Sequence, residues 1–103
     1  MSQEAIHDFE WDPAKALSNL RKHGASFDQA ATVFLDAVAL TVYDESGSPE
    51  EERWFTLGFD ATGKLLAVAH TYQDVEPGRA RVRIISARPA TKRERRYYEE
   101  ELR

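Results

Sequence analysis

Between Arg79 and Arg96 the chain places eight Lys or Arg against one acid, Glu94, a net +7 in a protein whose overall charge is −4. Guanidinium groups at this density do one kind of chemistry well. They grip anionic oxygens through paired N–H donors and stabilise negative charge that builds up there. In Arg81-Val82-Arg83-Ile84 the cations alternate with aliphatic residues. A strand here shows Arg81 and Arg83 to one face and Val82 and Ile84 to the other. On the same alternation Arg88 falls in phase with Val82 and Ile84. Two other fates stay open for Arg81 and Arg83: a solvated face, or pairing with Asp44–Glu52, which holds five acids and no base.

Directly after this strand, Thr91-Lys92-Arg93-Glu94 forms a capping box and opens a helix through Tyr97, Tyr98 and Leu102. Its charges oppose the helix dipole: Lys92, Arg93, Arg95 and Arg96 come first, and Glu99, Glu100 and Glu101 last. Each misplaced charge costs about 0.3–1 kcal/mol. Arg95–Glu99 and Arg96–Glu100 stand at i,i+4, where pairing recovers about 0.3–0.5 kcal/mol each. A cation-rich helix start with free N–H groups is a phosphate site.

Other residues able to do chemistry are scattered. Lys22 and His23 precede Gly24, where cations either complement a helix C-terminus or reach a ligand. Arg53 opens a strand, and His70 sits late in another, as an acid–base group or a hydrogen-bonded core histidine. Trp11, Phe27, Phe34, Trp54 and Phe59 read as core, and His7 lies in an N-terminal arm without a role. With no cysteine, no His-x-x-x-His and no carboxylates clustered beside histidine, neither a disulfide nor a metal site is expected. No Gly-rich nucleotide loop is present, and no cofactor is expected.

The elements that must position these residues follow from punctuation. Asp12-Pro13 starts a helix that stops near His23-Gly24, with Leu17 and Leu20 on one face. Ser26 and Gln29 form a capping box for a second helix carrying Phe27, Ala30, Ala31 and Phe34. Residues 38–43, 53–59, 64–72 and 81–88 read as strands, separated by turns over 44–49, 60–63 and 73–78. The third is apolar almost throughout, as in a strand covered on both faces. Residues 1–10 read as an arm or short strand. The expectation is an α+β fold, α-α-β-β-β-β-α, with two N-terminal helices, a four-stranded mainly antiparallel sheet and a C-terminal helix.

A chain of 103 residues is one domain's worth, so residues 1–103 are expected to fold as a single domain. No apolar run approaches the roughly 18 residues of a membrane span. The acidic N-terminus lacks the basic-then-apolar order of a signal peptide. A cytoplasmic location and no membrane partner are expected.

The string Phe9-x-Trp11-Asp12-x-x-Lys15-x-x-x-Asn19-x-x-Lys22-His23-Gly24 resembles the BrnT family, toxins of bacterial type II toxin–antitoxin systems. Phe27, Ala30, Arg83-Ile84-Ile85-Ser86-Ala87-Arg88, Glu94-Arg95 and Tyr97 continue the likeness, which runs in order over about positions 9–99. The resemblance implies a RelE-like fold and an endoribonuclease that arrests translation by cutting mRNA, on or off the ribosome. It also implies neutralisation by a BrnA-type antitoxin, through which the complex reaches promoter DNA.

Metal-free RNA cleavage needs a base for the 2′-hydroxyl, cations for the phosphorane and an acid for the leaving 5′-oxygen. Against those needs the catalytic candidates are Lys22, His23, Arg53, His70, Arg83 and Arg88. Arg81, Lys92, Arg93, Arg96 and Tyr97 are candidates for binding RNA. Two rivals remain: a non-catalytic RNA- or protein-binding module, and an inactive homologue acting in an autoregulatory DNA-binding complex.

Overall fold

The structure, a computed structural model, describes residues 6–46 and 51–102. Its elements in chain order are β1 (Ile6–Glu10), α1 (Pro13–His23), α2 (Phe27–Thr32), a 3-10 turn (Val33–Leu35), β2 (Leu40–Asp44), β3 (Arg53–Phe59), β4 (Leu65–His70), β5 (Gln73–Glu76), β6 (Arg79–Pro89) and α3 (Lys92–Glu101). The expected helix signals act where they stand. Asp12 caps α1 from its side chain, and Ser26 with Gln29 and Thr91 with Glu94 each close a capping box. Gly24, at φ 71°, takes the left-handed conformation that ends α1, and its N–H bonds to the Leu20 carbonyl.

The sheet differs from the expected four strands. Among the described residues it has six, in the order β1-β6-β4-β3-β2, with β5 also on β6, and it is mixed because β1 runs parallel to β6. Within the N-terminal arm, Ile6–Glu10 is thus an edge strand. Gln73–Glu76, read as turn because of its polarity, is strand β5, exposed at every position. Both additions pair with the first half of β6, which extends to Arg79. The expected turn over 44–49 lies partly outside the described residues. β4 is buried at all six positions, as its apolar run requires of a central strand.

The two sheet faces carry different cores. α1 and α2 cover one, with Phe27, Ala30 and Val33 packed on Leu66, Val68, Ile84 and Ala87. Tyr98 of α3 covers part of the other, against Leu57, Leu65 and Ala67. In α1 the sequence pattern misleads: Leu17 and Leu20 are 50% and 45% exposed, while Ala16 and Asn19 face the sheet. Gly58 has a packing reason, since a Cβ there would stand 3.0 Å from Ala39 Cβ and Val33 Cγ1.

One irregularity changes which face the arginines share. His70 pairs with Ile84 but Ala69 pairs with Ser86, so Ile85 is an extra residue bulged out of β6. The bulge reverses the alternation, and Ile84 and Ala87, three apart, both join the helix-side core. Arg88 therefore turns to the face of Arg81 and Arg83, against the phase expected from a regular strand.

Beyond Arg83 no β1 residue pairs with β6, and a side chain takes over that edge. The Asn19 amide accepts from Ala87 N–H at 3.1 Å and donates to the Ala87 carbonyl at 2.8 Å and the Ala25 carbonyl at 2.9 Å. Replacing Asn19 with Leu strands three buried backbone groups, each able to cost about 1–3 kcal/mol. Urea denaturation of Asn19→Leu should show a loss of about 2–4 kcal/mol; a loss within error would remove the clamp from the account.

Candidate functional site

Two adjoining polar clefts share Arg83 and Glu51. One, of about 420 Å³, is bounded by Glu10, Glu51, Glu52, Thr71, Tyr72, Gln73, Arg81 and Arg83. The other, of about 290 Å³, is bounded by Asp12, Lys15, Glu51, Arg53, Arg83, Ile84 and Ile85. Arg83 stands on β6 with its backbone fixed by Thr71, whose N–H donates to the Arg83 carbonyl at 3.0 Å and whose hydroxyl accepts from Arg83 N–H at 3.3 Å. Its guanidinium forms an ion pair with Glu51 on a half-exposed surface. Such a pair is worth about 0–1 kcal/mol, so a phosphate can displace it. Arg53 comes in from β3, and its Nε is enclosed with no acceptor among the described residues. Lys15, in the first turns of α1, brings the charged groups around this space to three cations and two carboxylates, Glu51 and the helix cap Asp12.

Arg88 is differently employed. Its guanidinium grips Glu94 with both terminal nitrogens, at 2.7 and 2.9 Å. Glu94 also accepts from Thr91 N–H at 2.9 Å as part of the α3 cap. The Arg88 bond holds the Glu94 carboxyl down at about 2, with the Thr91 N–H assisting, although burial alone would raise it. One side chain thus joins β6 to the start of α3. The one acid in the first turn of α3 is thus engaged by a residue outside the helix. Neither Arg95–Glu99 nor Arg96–Glu100 is among the ion pairs of the described residues; Arg95 instead lies 5.9 Å over the Phe59 ring. The depressed carboxyl contributes stability above its ordinary value of 4.5, lost as pH falls toward about 2. Glu94→Gln should cost about 1–2 kcal/mol at neutral pH in thermal or urea unfolding, and the difference from the parent should close in acid.

His70 is buried, 1% exposed. Its Nδ1 lies 2.9 Å from the Thr71 carbonyl, which can only accept, so Nδ1 carries the hydrogen. Burial first of all pushes its pKa down, and it stays neutral. Nε2 then accepts from the Thr56 hydroxyl at 2.7 Å, and Thr56 in turn accepts from Thr41 at 2.8 Å. Both ring nitrogens are committed, so His70 positions its neighbours rather than meeting a substrate. Because its pKa falls below the ordinary 6.5, the unfolded chain binds a proton that the folded one refuses. Stability should therefore be full above pH 6.5 and decline as pH falls below it. Chemical denaturation between pH 7.5 and 5.5 should show this slope, reduced in His70→Gln.

The other expected site residues separate by position. Arg81 lines the cleft with Arg83. Lys22 and His23 end α1 in its last turn. α1 runs along β6 from Lys15 beside Arg83 to Asn19 at Ala87, and Lys22 lies about 4.5 Å further on. Neither Lys22 nor His23 lines either cleft. Lys92, Arg93, Arg96 and Tyr97 are exposed on α3 and also stand outside both clefts.

Sequence reasoning missed Lys15 and Glu51. Lys15 was visible as one position of the Trp11–Gly24 string. Glu51 was hidden in a run of acids that offered no reason to choose one. His7 and Trp54 also need correcting. His7 belongs to β1 and packs on Phe34 at 5.6 Å between ring centres. Trp54 lines an open cavity rather than the core.

The sequence matches a known family. Residues 11–94 match the family described as "Ribonuclease toxin, BrnT, of type II toxin-antitoxin system". The chain belongs to the BrnT family. The crystal structure of the Brucella abortus ribonuclease toxin, BrnT, resembles it with a TM-score of 0.56 at 20% sequence identity, covering 88% of this chain and 100% of that one. At that identity the likeness concerns the fold, three helices and a mostly antiparallel sheet. No curated protein matches the sequence. No helix among the described residues is long and apolar enough to cross a membrane.

Proposed function

We propose that this chain is the toxin of a type II toxin–antitoxin system, a single RelE-like domain over residues 1–103 that cleaves RNA in the cytoplasm and thereby arrests translation. The observation that carries this reading is the Glu51 carboxylate, set among Arg53, Arg83 and Lys15 around a cleft whose other carboxylate, Asp12, caps α1. In the reaction the Glu51 carboxylate takes the proton of a 2′-hydroxyl. The oxygen attacks the adjacent phosphorus, and the 5′-oxygen leaves with a proton from Lys15. Arg83 and Arg53 hold the equatorial oxygens of the phosphorane, where charge builds up. These groups perform the steps without a metal ion or cofactor.

RNA enters by displacing the exposed Glu51–Arg83 contact, which leaves Glu51 an unpaired base and Arg83 a phosphate ligand. Arg81 continues the track within the cleft. Lys22, His23, Lys92, Arg93, Arg96 and Tyr97 supply further backbone and stacking contacts outside it. Arg88 supports the site through Glu94, and His70 through the Thr71 carbonyl. A cognate BrnA-type antitoxin neutralises the protein, and promoter DNA is reached only through that partner.

Purified protein should cleave single-stranded RNA in EDTA. Arg83→Ala and Glu51→Gln should each lower the rate by about 100-fold or more, with unfolding midpoints close to the parent because both side chains are half-exposed and their ion pair contributes little. Lys22→Ala should cost less than either. RNA that is bound but never cut, with or without ribosomes, would replace this reading with a non-catalytic binding module. A chain that neither binds nor cuts, yet alters its partner's DNA binding, would make it an inactive homologue.

A further inference from the structure

Resting on the RNA-cleaving reading above, we infer that the cavity beside His70 takes one unstacked nucleobase of the RNA, of the kind that carries an exocyclic amino group. The cavity encloses about 400 Å³ between the 34–39 segment and the ends of β3 and β4. That is within the range of small-molecule sites and ample for a base. Its walls include the rings of His7, Phe34, Trp54 and Tyr72 and two polar side chains, Asp36 and Thr41. Sequence-reading RNA sites have this composition: a splayed base stacks on aromatic rings while a few polar groups read its edge.

Continuity with the arginine cleft names the occupant. Tyr72 borders both the cavity and the cleft of Arg81 and Arg83. A base lying against Tyr72 can therefore leave its phosphate on the arginines. An apolar ligand would have no use for Arg81 and Arg83 in the charged cleft next door, and an anionic one would not enter the aromatic walls.

The polar groups select among bases. Neutral His70 accepts from Thr56, so Thr56 accepts from Thr41, and the Thr41 proton is spent on that bond. What Thr41 presents to the cavity is an oxygen lone pair. Asp36 accepts from Val38 N–H at 3.0 Å, Phe59 N–H at 2.9 Å and the Tyr98 hydroxyl at 2.6 Å. A carboxylate has about four acceptor sites, so one stays open. Both groups are acceptors. Adenine, cytosine and guanine offer an amino donor to them, whereas uracil offers two carbonyls beside a single N–H.

Two tryptophans are present, and Trp11 packs away from the cavity on Phe27, so Trp11→Phe leaves Trp54 as the reporter. The probes are 2′-O-methyl tetranucleotides of A, C and U, which cannot be cut through a 2′-hydroxyl, and the A tetramer with one abasic position. A and C tetramers should quench Trp54 and bind about fivefold or more tighter than U or abasic ones. Tyr72→Ala should weaken A binding by about 5- to 150-fold and abasic binding by less than twofold. Thr41→Val should erase the preference of A over U. Fluorescence anisotropy of labelled tetramers on the unmodified protein gives the same comparison if Trp11→Phe does not fold. Equal affinity for A and abasic tetramers, with RNA still cleaved, overturns the base site alone. No binding or cleavage of any RNA overturns the reading beneath it as well.

Discussion

The fold turns on a side chain that takes the place of a strand. β1 supports the outer edge of β6 only as far as Arg83, and the Ala87 peptide groups beyond it point outward with no neighbouring strand to meet them. The Asn19 amide supplies both bonds. A primary amide has the same donor and acceptor as a peptide group, so it satisfies the edge without another residue of sheet. It also fixes α1 in register along β6. Because Asn19 is locked to Ala87, Lys15, one turn earlier, is set beside Arg83. The second-helix corner is held by the same amide through the Ala25 carbonyl.

The site is built on the other irregularity of that strand. A regular β6 would send Arg88 into the helix-side core, where an unpaired guanidinium is costly. The bulge at Ile85 turns it outward instead, where Glu94 takes it and ties the start of α3 to the sheet. Arg83, on the near side of the bulge, is left on an exposed face with a weakly held acidic partner, Glu51. The two arginines have similar surroundings in the sequence and different duties in the structure. One is consumed by a bidentate bond at a helix cap; the other remains exchangeable.

Much of this was legible beforehand where local chemistry decides. The caps at Asp12, Ser26 and Thr91, the stop at Gly24 and the buried run of β4 follow from side-chain size and hydrogen-bonding capacity alone. Strand β1 was legible only as one of two options, an arm or a short strand, and β5 was read as turn, because both are short and largely exposed and carry no apolar run. The bulge was equally hidden, since Ile85 and Ser86 suit either phase. In the site, the arginine alternation identified Arg81 and Arg83. Lys22 and His23 were singled out through the Phe9–Gly24 string, which also holds Lys15, and the string alone does not say which of its cations borders a cleft. Glu51 could be singled out only by the contact that folding gives it with Arg83.

The central claim is that Glu51 and its three cations cleave RNA through the neighbouring 2′-hydroxyl, and the chemical ends of the products report on it most directly. RNA digested in EDTA should yield 2′,3′-cyclic phosphate and 5′-hydroxyl ends, and a 2′-deoxy nucleotide at the cut position should block the reaction. Products with 3′-hydroxyl and 5′-phosphate ends, or unimpaired cleavage of the deoxy substrate, would contradict the mechanism.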